Sequence, residues 1–100
     1  MICTLTARRL TPGAYDAFRE AWDVSYMNEA AIRRWKRIYH VRDVTDPDII
    51  ISFGLFDGTL NELREAQTAI GRSQQVDRIA PHVADVLLDG SYEVIEELTP

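Results

Sequence analysis

Asp48-Ile49-Ile50-Ile51-Ser52-Phe53-Gly54-Leu55-Phe56 is apolar on both of its alternating sets, with Asp46-Pro47 before it and Asp57-Gly58 after it. Read as a strand, it points Ile49, Ile51, Phe53 and Leu55 to one side and Ile50, Ser52, Gly54 and Phe56 to the other. Each side therefore needs a cover. Helices can cover one face, and the other requires a partner.

Working outward, Ile32 to Val44 reads as a strand whose charge falls on both sides, the mark of a sheet edge. Thr45-Asp46-Pro47 turns it into the apolar strand as an antiparallel hairpin. Ile2 to Arg8 reads as a first strand, with Ile2, Thr4 and Thr6 opposite Cys3, Leu5 and Ala7. Thr11-Pro12 predicts a helix start, followed by a stripe of Ala14, Phe18, Ala21, Trp22 and Ser25. Thr59 and Glu62 have capping-box spacing ahead of a second helix that buries Leu60, Leu63, Ala66 and Ile70 and stops at Gly71. Ser73 caps a further helix. Its apolar positions run from Val76, Ile79 and Ala80 through Val83, Val86 and Leu87 to a stop at Gly90, with a kink at Pro81. Ser91 to Leu98 is then the final strand.

The order β-α-β-β-α-β over residues 1–100 predicts one α+β domain of the ferredoxin-like class, an antiparallel sheet with helices on one face. Its first and third strands are central. At 100 residues the chain has enough material for one core.

The formal charge of −5 argues against nucleic-acid binding, and the apolar runs are too short to cross a bilayer. Lacking the features of a secretion signal, the chain is expected in the cytoplasm, away from membranes. Cys3 is the only cysteine, which leaves no intrachain disulfide and no cysteine-rich metal centre. Its expected role is that of a small buried hydrophobe. No phosphate loop, dinucleotide fingerprint, zinc motif or nucleophile elbow occurs, so no cofactor or metal is predicted.

The runs Arg42-Asp43-Val44-Thr45-Asp46-Pro47-Asp48 and Phe56-Asp57-Gly58-Thr59-Leu60-Asn61-Glu62-Leu63, with Ile79-Ala80-Pro81, Gly90, Glu93 and Val94, are similar to a known pattern. They resemble the dimeric α/β barrel proteins, especially the antibiotic-biosynthesis monooxygenase-like family. The resemblance implies a homodimer whose two sheets pack face to face, supplying the missing cover. It further implies that Arg33, Arg34 or Lys36 can meet Glu93, Glu96 or Glu97 of the partner. The haem-degrading branch carries an asparagine near the end of its first strand, where this chain has Thr6. A tryptophan common at the start of the second helix is Phe56 here. The resemblance therefore implies a branch other than the haem degraders.

For chemistry, His82 follows the break at Pro81 and can transfer protons near neutral pH. Its place on a polar face with Arg78 and Asp85 also suits an ordinary surface histidine. Tyr39 and Arg37 complete the candidate catalytic set, the arginine as a stabiliser of an enolate or phenolate. Trp22, Tyr26, Trp35, His40 and Phe53 are the candidate ligand-binding set, able to stack on a flat molecule. Core packing is the alternative for Trp22, and a hydrogen bond across a dimer is the alternative for His40. Two functions follow. One is a cofactor-independent monooxygenase-like protein acting on a small aromatic or polyketide-like compound; the other is a non-catalytic dimeric protein that holds a small apolar ligand.

Overall fold

A computed structural model describes residues 1–24 and 27–100. Its elements are β1 (Ile2–Leu10), α1 (Tyr15–Ala21), α2 (Glu29–Ile32), β2 (Trp35–Arg42), β3 (Ile49–Phe56), α3 (Leu60–Ala69), α4 (Arg72–Ile79), a 3-10 turn (Ala80–His82) and β4 (Val83–Glu93). The four strands form one antiparallel sheet in the order β2-β3-β1-β4. The fold is α+β and ferredoxin-like, with β1 and β3 central as expected.

The alternation in β3 divides as the sequence predicts. Ile50 and Phe56 are buried under the helices, in two separate clusters. The first joins Leu10, Phe18, Ile50 and Ile79, with Tyr15, Trp22 and Val83 against them. The second joins Phe56, Leu63 and Ala66, with Ile2 and Trp35 against them. The other set, Ile49, Ile51, Phe53 and Leu55, is only half-buried on a face that carries no helix.

Several local expectations give way to tertiary structure. The first helix begins at Tyr15 rather than Pro12, because Gly13 takes a left-handed φ of 74° and Ala14 N–H bonds back to Thr11 O at 3.0 Å in a turn. The second strand begins at Trp35, since Asn28 caps the short helix α2 by accepting from Ala31 N–H. The capping box of Thr59 and Glu62 is present, but Leu60 lies exposed at the start of α3. Gly71, at φ 73°, both ends α3 and caps α4, so Ser73 sits inside the helix.

The largest correction concerns Val83 to Leu88, expected as helix and found as the first half of β4. Its pairs with β1 are Leu10↔Val83, Arg9↔Asp85, Arg8↔Val86 and Ala7↔Leu88, so Ala84 and Leu87 are extra residues at two register shifts. Bulges of this kind break the two-residue period and leave apolar residues at spacings that mimic a helix. The open edge of β1 decides for the strand. Gly90 consequently lies within β4, which ends at Glu93 rather than running to Leu98.

Candidate active site

Both central strands carry apolar residues at the ends of their helix-facing sets and small or polar ones in the middle. In β1 the set reads Ile2, Thr4, Thr6, Arg8, Leu10; in β3 it reads Ile50, Ser52, Gly54, Phe56. The ends build the two apolar clusters. The middle leaves a cavity of about 310 Å³ between sheet and helices. That is near the low end of small-molecule sites, roughly 300–1,000 Å³.

Both tryptophans of the chain, Trp22 and Trp35, border this cavity. Trp35 is fixed by its Nε1–H donating to Thr4 Oγ1 at 3.1 Å and by an edge contact with Phe56 at 4.9 Å. Gly54 makes room for it: a Cβ there would come within 2.8 Å of Trp35 Cδ1.

Ser52, also on the cavity wall, lies at the centre of a polar chain. Its Oγ is 2.7 Å from His40 Nδ1 and accepts from Arg8 Nη1–H at 3.4 Å. With the arginine donating, the hydroxyl proton is free to point at the imidazole. In the tautomer where that hydroxyl donates, His40 Nδ1 is the acceptor and Nε2 carries the ring proton. Nε2 is buried with no hydrogen-bond partner among the described residues, and the ring sits edge-on to Trp22 at 4.6 Å and Phe18 at 5.8 Å. Burial, reinforced by the charges of Arg19 and Arg8, lowers His40 to about 4. The ring is neutral at physiological pH.

At the cavity rim Asp89 accepts from Thr6 Oγ1 at 2.9 Å and from Arg72 Nη2 at 3.1 Å. Arg8 itself is 7% exposed, with its guanidinium 5.6 Å from the Phe18 ring centre. Burial lowers its pKa, and the Asp89 charge opposes that shift. Gln75, 6% exposed on α4, borders the same space with its Nε2 unpaired among the described residues.

The structure splits the expected site. Trp22, Trp35 and His40 meet at or beside the cavity. Phe53 borders it, but its ring stacks on Tyr39 at 5.0 Å on the opposite face of the sheet. Tyr39 and Arg37 are exposed on that face, and His82 is half-buried in the 3-10 turn, where its carbonyl accepts from Thr11 N–H. None of these three borders the cavity. Tyr26 lies outside the described residues. Arg33, Arg34 and Lys36 pair within the chain, with Glu29, Glu62 and Asp57. Arg8, Ser52, Arg72, Gln75 and Asp89 were not among the expected residues. The signal for Arg8 and Ser52 was their place inside otherwise apolar strand faces. Among the described residues, no helix is long and apolar enough to cross a membrane.

No family model and no curated protein matches the sequence. Solved structures do match. A proposed antibiotic biosynthesis monooxygenase from Deinococcus radiodurans superposes with a TM-score of 0.76 at 14% identity, covering 100% of this chain and 98% of that one. A protein of the same description from Nitrosomonas europaea gives 0.72 at 17% identity, over 96% and 100%. The chain has the fold of the antibiotic biosynthesis monooxygenase-like proteins. An uncharacterised NIPSNAP domain protein from Burkholderia xenovorans shares this monooxygenase-like fold at TM-score 0.68 and 14% identity, over 100% and 99%.

Proposed function

We propose that the chain is a cofactor-independent monooxygenase of small planar aromatic or polyketide-like compounds, with the cavity between sheet and helices as its active site. The observation that carries this reading is the Ser52–His40 pair at the wall of a cavity flanked by Trp22 and Trp35. The tryptophans supply stacking surfaces for a flat ring system. Ser52 takes a proton from an activated methylene while passing its own to the neutral Nδ1 of His40. The resulting carbanion reduces molecular oxygen. A diaryl methylene and one molecule of oxygen give a diaryl ketone and one molecule of water. Both methylene C–H bonds break; one oxygen atom forms the carbonyl and the other leaves with the two hydrogens.

The working unit in this reading is a homodimer. Tyr39, Val41, Leu88 and Tyr92 are exposed on the helix-free face, around the half-buried Cys3, Ile51, Phe53 and Leu55. A second copy placed face to face would cover them all, and such apolar burial is the principal driving force for association.

Incubation with anthrone under ¹⁸O-labelled oxygen gas tests the enzymatic reading. The expected result is anthraquinone carrying one labelled carbonyl, formed above the protein-free rate. Ser52→Ala is expected to lower that excess rate about 100-fold. Anthrone that binds without being oxidised faster than in buffer would favour the non-catalytic ligand-holding protein instead.

A further inference from the structure

The charges around the cavity oppose those of the chain. The whole sequence carries −5, whereas the cavity is bordered by Arg8, Arg64 and Arg72 against a single acid, Asp89. Asp89 is already taken by Arg72 and Thr6. Arg64 lies exposed, hydrogen-bonded to the neutral Gln67 at 3.0 Å.

Arg8 has the weakest provision of the three. Its side chain extends from the centre of β1 into the space under the helices, and its one hydrogen bond among the described residues is the 3.4 Å contact with the neutral Ser52 hydroxyl. No carboxylate lies within ion-pair distance of it among the described residues. A guanidinium has five N–H donors, and one withdrawn from water needs an anion or several acceptors to offset its lost hydration. Gln75 adds a second buried donor group, on the same cavity, without an acceptor among the described residues.

Building on the cavity as the ligand site, we propose that its ligand is an anion: a planar aromatic bearing a carboxylate or phenolate oxygen, with Arg8 as the residue that selects it. The oxyanion accepts from the unused guanidinium N–H groups, and a planar carboxylate can take two of them at once. Gln75 Nε2–H is placed to donate to the same group. The ring system lies toward the tryptophans.

The emission of Trp22 and Trp35 reports occupancy directly, since no other tryptophan exists in the chain. Titrations with 2-naphthoate and with its neutral counterpart 2-naphthamide, at matched ionic strength, test the charge requirement. The unmodified protein is expected to bind the carboxylate about 10- to 100-fold more tightly than the amide, the range of a charge-assisted hydrogen bond at a buried site. Arg8→Gln, verified as folded by circular dichroism, is expected to bring naphthoate down to the affinity of naphthamide and leave naphthamide within about twofold. Arg8→Lys is expected to keep part of the preference, having the charge without the planar fork.

Equal affinity of the two compounds for the unmodified protein would overturn the anion selectivity while leaving the cavity as a ligand site. A preference that survives Arg8→Gln would overturn Arg8 as the residue that selects the anion. Failure of both compounds to bind would overturn the cavity reading itself, and the anion proposal with it.

Discussion

The two faces of β3 are written in one stretch of sequence and end in different states. On the helix side, Ile50 and Phe56 are 1% and 0% exposed. On the other, Ile51 and Phe53 remain half-buried among exposed neighbours such as Tyr39 at 44% and Leu88 at 51%. The first face was completed within the chain. The second presents comparable apolar material and is only half-buried, with nothing over it among the described residues. The helix side is also where polarity is tolerated: Thr4, Thr6, Arg8 and Ser52 stand between the apolar ends because the helices arch over them and leave a cavity.

The sharpest break between the faces is a pair of truncations. Phe56→Ala is expected to cost about 3–5 kcal/mol by urea denaturation, independent of protein concentration, since its ring is enclosed within one chain. Phe53→Ala is expected to cost roughly 1–2 kcal/mol in dilute protein, because half-burial removes less apolar area, and more as concentration rises. Equal, concentration-independent costs would end the distinction.

His40 sharpens the comparison from the polar side. Its folded pKa of about 4 lies below the ordinary 6.5, so between these values the unfolded chain binds more protons than the folded one. The stability it contributes is therefore full above about 6.5 and lost as pH falls toward 4. Allowing for solvent screening of a partly exposed ring, the loss is on the order of 2 kcal/mol. His40→Gln should flatten that limb of the stability profile measured by urea denaturation. Asp46 and Glu62, whose pKa values lie below the ordinary carboxylate range through hydrogen bonds led by Arg9 and by the Thr59 backbone, act only at lower pH. Thr59→Ala, which removes half of the capping box, should cost about 1 kcal/mol and leave both sheet faces and the cavity unchanged in ligand titrations.

What was legible in the sequence follows from where periodicity survives. β3 has an unbroken alternation, so its two sets of side chains and its central place could be read directly. The capping box could be read because Thr59 and Glu62 act within one turn. β4 could not, because the extra residues Ala84 and Leu87 turn a strand pattern into a helix-like one, and only pairing with a strand over 70 residues earlier resolves it. The same applies to the site. Trp22, Trp35 and His40 were visible as aromatic and titratable residues near the right elements. Tyr39 and Arg37, equally plausible by residue type, fall on the opposite face from His40 because alternation along β2 separates them. Gln75 and Asp89 had no local signature, since their roles arise from α4 and β4 meeting across the cavity.

Hydroxyl-radical footprinting read by mass spectrometry tests the division of labour between the faces most directly. Adding 2-naphthoate is predicted to protect Trp22 and Trp35 and leave Tyr39, Phe53 and Tyr92 as reactive as before. Raising protein concentration is predicted to do the reverse. Protection of Tyr39 and Tyr92 by the ligand, or of the tryptophans by concentration alone, would contradict the account.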